Sequence, residues 1–147
     1  MAAHVIDTNV LVAALRSSSG ASRQLLLAAL DRRFEVVVSV PLLLEYESVL
    51  KRPEQLDAMA TSAGIIDTVL NDFIAVAREV HLEYRWRPII KDPKDDMVFE
   101  TAINGGARTI ITFNVQHFVR AGRRFGIRVV RPIEVLRVLR RNAHENK

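Results

Sequence analysis

The stretch HVIDTNV, residues 4–10, decides the fold of this 147-residue chain. His4, Val5 and Ile6 form a short apolar run that predicts a strand, and the polar residues that follow predict a turn. Helical periodicity resumes over residues 10–16, so the unit is predicted to be strand, turn and helix. A strand that passes directly into a helix is typical of α/β domains. The polar turn then lies at the carboxyl end of the strand.

The same alternation continues to the end of the chain. Residues 34–38 are β-branched and too few for a helix, so they predict a second strand. Later strands are predicted over residues 80–84, 108–112 and 127–130. Longer helices are predicted over residues 23–30, 42–50, 61–79, 93–104 and 132–141, and a short helical turn over residues 116–120. Ser22 is the predicted cap of the helix over 23–30, and Asp92 is the predicted cap of the helix over 93–104. Pro41 fits the first turn of the helix over 42–50, and Pro53 ends that helix. Nothing interrupts this series, so we expect a single α/β domain over residues 1–147, with a parallel sheet and right-handed crossovers.

Composition excludes several classes of function. The chain has no cysteine, which rules out disulfides, thiolate zinc sites and cysteine nucleophiles. Its longest run without a charged residue, 109–119, is too short to span a membrane. A carboxylate at Asp7 interrupts the segment in which a secretory signal needs an apolar run. We therefore expect a soluble cytoplasmic protein that does not bind membranes.

The positive charge is concentrated in the last fifth of the chain. Residues 1–119 carry 12 basic and 15 acidic residues, whereas residues 120–147 carry 9 basic and 2 acidic residues, a net charge of +7. Such a segment attracts nucleic-acid phosphates with little regard to sequence. A solvated basic tail explains the same composition, so both interpretations stay open.

Carboxylates follow two of the predicted strands, and a third lies on a later helix. Ligands bind beyond the carboxyl ends of strands in parallel sheets, so Asp7 and Glu45 are candidates, although helix capping and surface exposure also explain them. Asp96 lies on the same helix face as Phe99 and Ile103, a predicted buried stripe, and Glu100 one turn further on adds negative charge. A buried carboxylate needs a partner. Oxygen-rich clusters select hard cations, so Mg²⁺ or Mn²⁺ is expected.

Four motifs together carry a family resemblance. They are VIDTNV at residues 5–10, VSVPLLLE at 38–45, DPKDDMVFETA at 92–102 and TFNVQHF at 112–118. In this order and spacing the chain resembles the PIN domain over nearly its whole length. Within that family it is similar to the toxin components of prokaryotic toxin–antitoxin pairs.

The resemblance implies a three-layer α/β/α sandwich and a metal-dependent endoribonuclease. Asp7, Glu45 and Asp96 match the family's acidic positions, which would hold Mg²⁺ or Mn²⁺. Asn114 stands where many PIN proteins have a fourth acid, so it offers an oxygen without a charge. The supporting or substrate-binding positions that the resemblance and the basic segment suggest are Asn9, Asp95, Thr112, Arg120, Arg123 and Arg124.

The resemblance also implies partners. RNA is the expected substrate, a cognate antitoxin would insert a segment near the acidic site, and homodimerisation is the family habit. The apolar helix over residues 65–77 is either a dimer interface or part of the core. An alternative function is a PIN-like module that binds RNA or a protein without cleavage, given Asn114. A further alternative is that the three carboxylates Asp7, Glu45 and Asp96 do not converge.

Overall fold

The structure is a computed structural model that describes residues 2–83 and 93–145, with side chains described for 2–83 and 96–145. Its strands are β1 Ala3–Ile6, β2 Glu35–Val38, β3 Arg78–Glu79, β4 Thr109–Ile111 and β5 Arg128–Val130. Its helices are α1 Thr8–Arg16, α2 Ala21–Leu30, α3 Val40–Leu50, α4 Pro53–Ala58, α5 Ala63–Val76, α6 Pro93–Asn104, α7 Val115–Phe125 and α8 Pro132–Glu145.

The strands form one parallel sheet in the order β3-β2-β1-β4-β5. The first strand of the chain therefore lies at the centre of the sheet. Helix α2 packs against α1, α5 and α8, while α6 packs against α7 and against β1, β2 and β4. Right-handed crossovers place these two groups of helices on opposite faces. The predicted three-layer α/β/α sandwich is thus confirmed.

The core lies on both faces of the central strands. Val5, Ile6, Ile110 and Ile111 are almost completely buried, as expected for a parallel sheet covered on both sides. In α5, Ile66, Leu70 and Phe73 are buried, whereas Ile65 and Ile74 are exposed. One stripe of this apolar helix is therefore core, and apolar side chains outside the stripe face solvent.

Several predicted element boundaries were wrong. Helix α2 begins at Ala21, with Gly20 as its N-cap, and Ser22 is buried in its first turn. Pro53 begins α4 instead of only ending the helix before it, since proline fits the first turn of a helix. Residues 116–120 belong to the longer helix α7. This helix ends at Phe125, and the residue that caps it, Gly126, adopts the left-handed conformation.

The edge strand was placed too late in the sequence. Helix α5 stops at Val76, and β3 is Arg78–Glu79, where Val37 pairs with Arg78. Both residues of β3 are exposed and polar, so apolar patterning gave no signal for them. The predicted cap Asp92 lies outside the described residues, although α6 does begin at Pro93 as predicted.

Gly122 allows α7 to approach β5. A Cβ atom at this buried glycine would lie 2.6 Å from the carbonyl oxygen of Ile127 and 3.0 Å from Cγ2 of Val129. The carbonyl belongs to the backbone, so it cannot turn away as a side chain would.

We expect Gly122→Ala to lower the free energy of unfolding by about 1–3 kcal/mol, because overpacking outweighs the better helix propensity of alanine. Gly64→Ala is the matched control, since that site is exposed and its nearest neighbour would be 3.9 Å away. The control should gain up to about 1 kcal/mol. Urea unfolding of both variants measures the difference, and equal stabilities would contradict the close approach.

Candidate functional site

Asp7 occupies the carboxyl end of the central strand. Its residue is only 7% exposed, and it caps α1, since the Thr8 N–H donates to Oδ1 at 2.8 Å. The Thr112 hydroxyl donates to Oδ2 at 2.7 Å across the sheet. Asp7 therefore has both predicted features, since it caps α1 and lies at the carboxyl edge of the sheet. The orientation of the carboxylate is therefore fixed by the first residue of α1 and by the residue that follows β4.

The loop after β4 lies beside Asp7. We call the site formed by Asp7, Asn9, Thr112 and Asn114 the acidic corner. The Asn114 N–H donates to Oγ1 of Thr112 at 2.9 Å, and the Phe113 N–H donates to Oδ1 of Asn9 at 3.4 Å. Asn114 is exposed and makes no side-chain capping bond to α7. The structure thus brings Asn9, Thr112 and Asn114 together beside Asp7.

Tyr46 joins α3 to the same corner. Its buried hydroxyl donates a hydrogen bond to the carbonyl oxygen of Ile6, the residue before Asp7. Burial raises the pKa of Tyr46 well above its ordinary value, and the nearby Asp7 carboxylate raises it further. Glu45 precedes Tyr46 in α3 and is half-buried. Helix α3, which carries Glu45, is therefore fixed to the end of β1 through Tyr46, a residue that the sequence did not predict for the site.

Ser39 and Thr101 connect α3 to α6. The Leu42 N–H donates to the Ser39 hydroxyl, and the Ser39 and Thr101 hydroxyls lie 2.7 Å apart. The Thr101 hydroxyl donates to the Met97 carbonyl at 2.7 Å, so the Ser39 hydroxyl is the donor to Thr101. All three bonds are directed, and they fix the start of α3 against the middle of α6. The sequence could not predict the contact between Ser39 and Thr101. The spacing of Met97 and Thr101, four positions apart, occurs throughout every helix and carries no specific signal.

Helix α6 runs opposite to the strands. Thr101 meets Ser39 at the end of β2, whereas Gly105 lies against Val37 further back in that strand. Asp96, five residues before Thr101, is therefore about 7.5 Å further toward the carboxyl edge of the sheet. Asp96 is 3% exposed, as its place on the apolar stripe predicted, and Glu100 is 1% exposed. The predicted ligand set did not include Glu100, although its position one turn after Asp96 was a signal.

Asp7, Asn114 and Asp96 lie toward the carboxyl edge of the sheet, but the predicted ligands do not form a compact ligand group. Among the residues with described side chains, no three His, Asp or Glu come close enough to hold one ion. The side chain of Asp95 lies outside that part of the chain. The donor chemistry nevertheless suits a hard cation, because Mg²⁺ keeps several waters and is usually bound through one or two carboxylates. The fit therefore requires ligands that act through water.

The basic helix α7 begins at this corner and leads away from it. Arg120, Arg123 and Arg124 are exposed on α7, with the last two in its final turn. At 1.5 Å per residue, Arg120 lies about 9 Å along the axis from Asn114 and Arg124 about 15 Å. The structure does not gather these arginines at Asp7. It arranges them along a path from the acidic edge.

Comparison with known proteins identifies the family. A PIN domain family model matches residues 3–116, so the chain belongs to the PIN domain family, as its motifs predicted. The chain is similar in fold to one in the "Crystal structure of VapBC2 from Rickettsia felis bound to a DNA fragment from their promoter". The TM-score is 0.57 at 16% identity, over 86% of this chain and 96% of that one. A search of the curated proteins gave no match.

Thr112→Val should destabilise the protein by about 1–3 kcal/mol, because the buried Asp7 carboxylate loses a hydrogen bond that no neighbouring apolar group replaces. Thr112→Ser keeps the hydroxyl and should recover most of the loss. Urea unfolding of the three proteins measures both effects. Thr112→Val keeps the methyl group and Thr112→Ser keeps the hydroxyl, so an equal loss in the two variants would contradict a dominant role for the hydroxyl.

Tyr46 predicts a pH dependence of stability. The folded state holds its proton above the ordinary value of 10.0, whereas the unfolded chain releases it there. Stability from this group is therefore complete below pH 10 and is lost as the pH rises toward the higher folded pKa. Urea unfolding across this range should show a steeper loss for the natural protein than for Tyr46→Phe. Parallel curves for the two proteins would contradict the prediction.

Proposed function

We propose that the protein is a divalent-metal-dependent endoribonuclease and the toxin of a toxin–antitoxin pair. The observation that carries this proposal is the buried carboxylate of Asp7 at the end of the central strand, oriented by Thr112. Membership of the PIN domain family supports nuclease chemistry. The burial of Asp96 on α6, which starts toward the same edge of the sheet, also supports the proposal.

Asp7, Glu45 and Asp96 would hold Mg²⁺ or Mn²⁺, with Asn114 as a neutral oxygen ligand. When bound, the ion supplies an activated water and neutralises charge that develops on the phosphate. Asp7 is suited to direct ligation because Thr112 and Thr8 fix its two oxygens. Asp95 would assist Asp96 from the preceding position. Glu100 adds a further buried carboxylate that favours a cation.

The chain's own residues would position the RNA. Asn9 and Thr112 border Asp7, and the exposed arginines of α7 offer guanidiniums to successive phosphates. Such contacts bind the backbone without reading the base sequence. The strand would therefore enter at the corner beside Asn114 and follow α7 past Arg120 toward Arg123 and Arg124.

The toxin role includes proposed partners. Fold similarity to a chain of VapBC2, which is bound to promoter DNA in its crystal structure, supports an antitoxin partner. A homodimer and a cytoplasmic location belong to the same proposal. The exposed Ile65 and Ile74 of α5 are apolar residues that a second copy can cover. No helix in the described part of the chain is long and apolar enough to cross a bilayer.

Titration of Mn²⁺ into the metal-free protein tests the site without a guess at the RNA. We expect saturable binding that Asp96→Asn removes and that Asp72→Asn retains. Asp72 is the matched control because it is an exposed aspartate on α5, so the variant makes the same chemical change elsewhere. Calorimetry measures both. Equal binding by the two variants would contradict the metal site.

Cleavage of labelled RNA with Mn²⁺ or with EDTA tests the reaction itself. Asp7→Asn and Asp96→Asn should each lower the rate at least about 100-fold, since each removes charge stabilisation at the phosphate. Both variants should unfold cooperatively like the natural protein. The absence of cleavage by the natural protein, with each metal and several RNAs, would count against the enzyme.

A PIN-like module that binds without cleavage is the second candidate. It is favoured by Asn114 in place of an acid and by the lack of a three-ligand group among the described side chains. For this module Asp96→Asn should leave RNA affinity unchanged or raise it, because repulsion of the phosphates falls. Fluorescence anisotropy in EDTA measures that affinity separately from cleavage.

A further inference from the structure

A cavity of about 270 Å³ lies between α8 and the sheet, from His4 and Arg33 at the amino edge to Val130 and Glu134 near the start of α8. We call it the amino-edge cavity because its arginines, Arg33 and Arg128, lie at that edge. His4, Thr109 and Arg128 line it from three neighbouring strands. His4 pairs with Thr109 and Thr109 pairs with Arg128, so the three residues form one row across the sheet. Paired residues in a sheet share a face, and α8 covers this face. The row therefore lies directly beneath α8.

His4 and Thr109 are the only polar residues of β1 and β4. The other residues of β1 and β4 are Ala3, Val5, Ile6, Ile110 and Ile111, as expected for strands with two buried faces. Thr109 is buried at the wall of the cavity, whereas Arg128 is exposed. The row therefore offers hydrogen-bonding side chains to a ligand in the cavity.

His4 would be a neutral member of the row. Its Nδ1 lies 3.2 Å from the Glu35 carbonyl oxygen, which fixes the tautomer with a proton on Nδ1. Burial has the largest effect and lowers the pKa of His4, while backbone hydrogen bonds to Glu35 and Ala2 oppose this shift. In the neutral tautomer Nε2 carries no proton, so it can accept a hydrogen bond from a ribose hydroxyl or a base amino group.

The rim of the cavity is basic and its walls are apolar. Arg33 and Arg128 are exposed lining residues, and Arg33 also lines a neighbouring cavity of about 280 Å³ with Arg140. Glu134 is the acidic member, and its Oε2 accepts the Arg131 N–H at 3.2 Å in the first turn of α8. The apolar walls come from Phe34, Val130, Val135, Val138 and Leu139.

We propose that this amino-edge cavity binds one phosphate-bearing nucleotide, either a free mononucleotide or one unit of an RNA strand. The guanidiniums of Arg33 and Arg128 match a phosphate, and the apolar walls match a base. The volume is near the lower end of the roughly 300–1,000 Å³ of small-ligand sites, which suits a compact ligand.

The RNA form of this proposal rests on the proposed function, whereas the mononucleotide form does not. Helix α8 starts after the carboxyl end of β5 and returns to the amino edge over 14 residues, about 21 Å. A strand bound at the acidic corner therefore reaches Arg33 and Arg128, at the far end of the cavity, only if it is long. The affinities for RNAs of different length and for free nucleotides therefore distinguish the two sources of the ligand.

The test uses the full chain in EDTA, so that no cleavage occurs. AMP and UMP are titrated by calorimetry, and RNAs of about 5 and about 25 nucleotides by fluorescence anisotropy, lengths that bracket common single-strand sites of ~4–16 nucleotides. The double variant Arg33→Gln/Arg128→Gln removes the rim charges. Arg16→Gln/Arg52→Gln is the matched control, because both arginines are exposed on other elements.

A mononucleotide site predicts saturable AMP or UMP binding that the double variant lowers at least about tenfold. A strand site predicts the same loss for the long RNA alone, with a salt-dependence slope smaller by about 0.7 for each lost phosphate contact. Val138→Trp keeps every charge and fills the mouth of the cavity, since Val138 is 43% exposed on α8. It should cause a comparable loss.

The proposal is overturned if the control variant loses as much affinity as the double variant, which would show general attraction to positive charge. Full affinity in Val138→Trp would also overturn it. So would equal binding of every nucleotide and RNA by the double variant and the natural protein. Thermal unfolding of each variant confirms the fold. Calorimetry with Mn²⁺ should be unchanged in all of them, so this result is independent of the acidic site.

Discussion

The parallel pairing of β1 with both β2 and β4 is the constraint on which the rest of the structure depends. Ile6 pairs with Ile111, so the next residues, Asp7 and Thr112, leave the sheet side by side. The Asp7 N–H donates to the Ile111 carbonyl at 2.9 Å, which continues the ladder one residue beyond the strand. A slip of one residue in this register would turn the side chains of β1 to the opposite face and separate Asp7 from Thr112.

Buried hydroxyl groups stabilise the acidic corner. Removal of carboxylates from water is costly unless polar neighbours replace the lost hydration. Thr112 donates to Asp7 itself, whereas Tyr46 and the Ser39–Thr101 pair fix the helices that carry Glu45 and Asp96. These four hydroxyl groups connect the end of β1 to the loop after β4 and to α3, and connect α3 to α6. They thereby oppose the repulsion between the carboxylates that these elements carry. This arrangement also explains why a cation would be favourable there.

The two edges of the sheet have opposite electrostatic character. The carboxyl edge bears Asp7 and Asp96, while the amino edge bears Arg33 and Arg128, which line the cavity beneath α8. The net charge of +7 in residues 120–147 is therefore distributed over several surfaces instead of forming one tail. Helix α7 and helix α8 both connect the two edges, so a long polyanion has basic side chains available on both routes.

The sequence by itself determined the α/β class, the family and the order of most elements, because apolar periodicity and polar turns are local signals. It also determined that Asp96 is buried, since Phe99 lies on the same helix face. It did not determine β3, whose two residues are polar and depend on pairing with β2. Only the tertiary structure decided that Tyr46, Ser39 and Thr101 support the acidic corner, and that His4, Thr109 and Arg128 form one row. These contacts join residues from 19 to 105 positions apart, and their geometry is set by strand register, which no local pattern encodes.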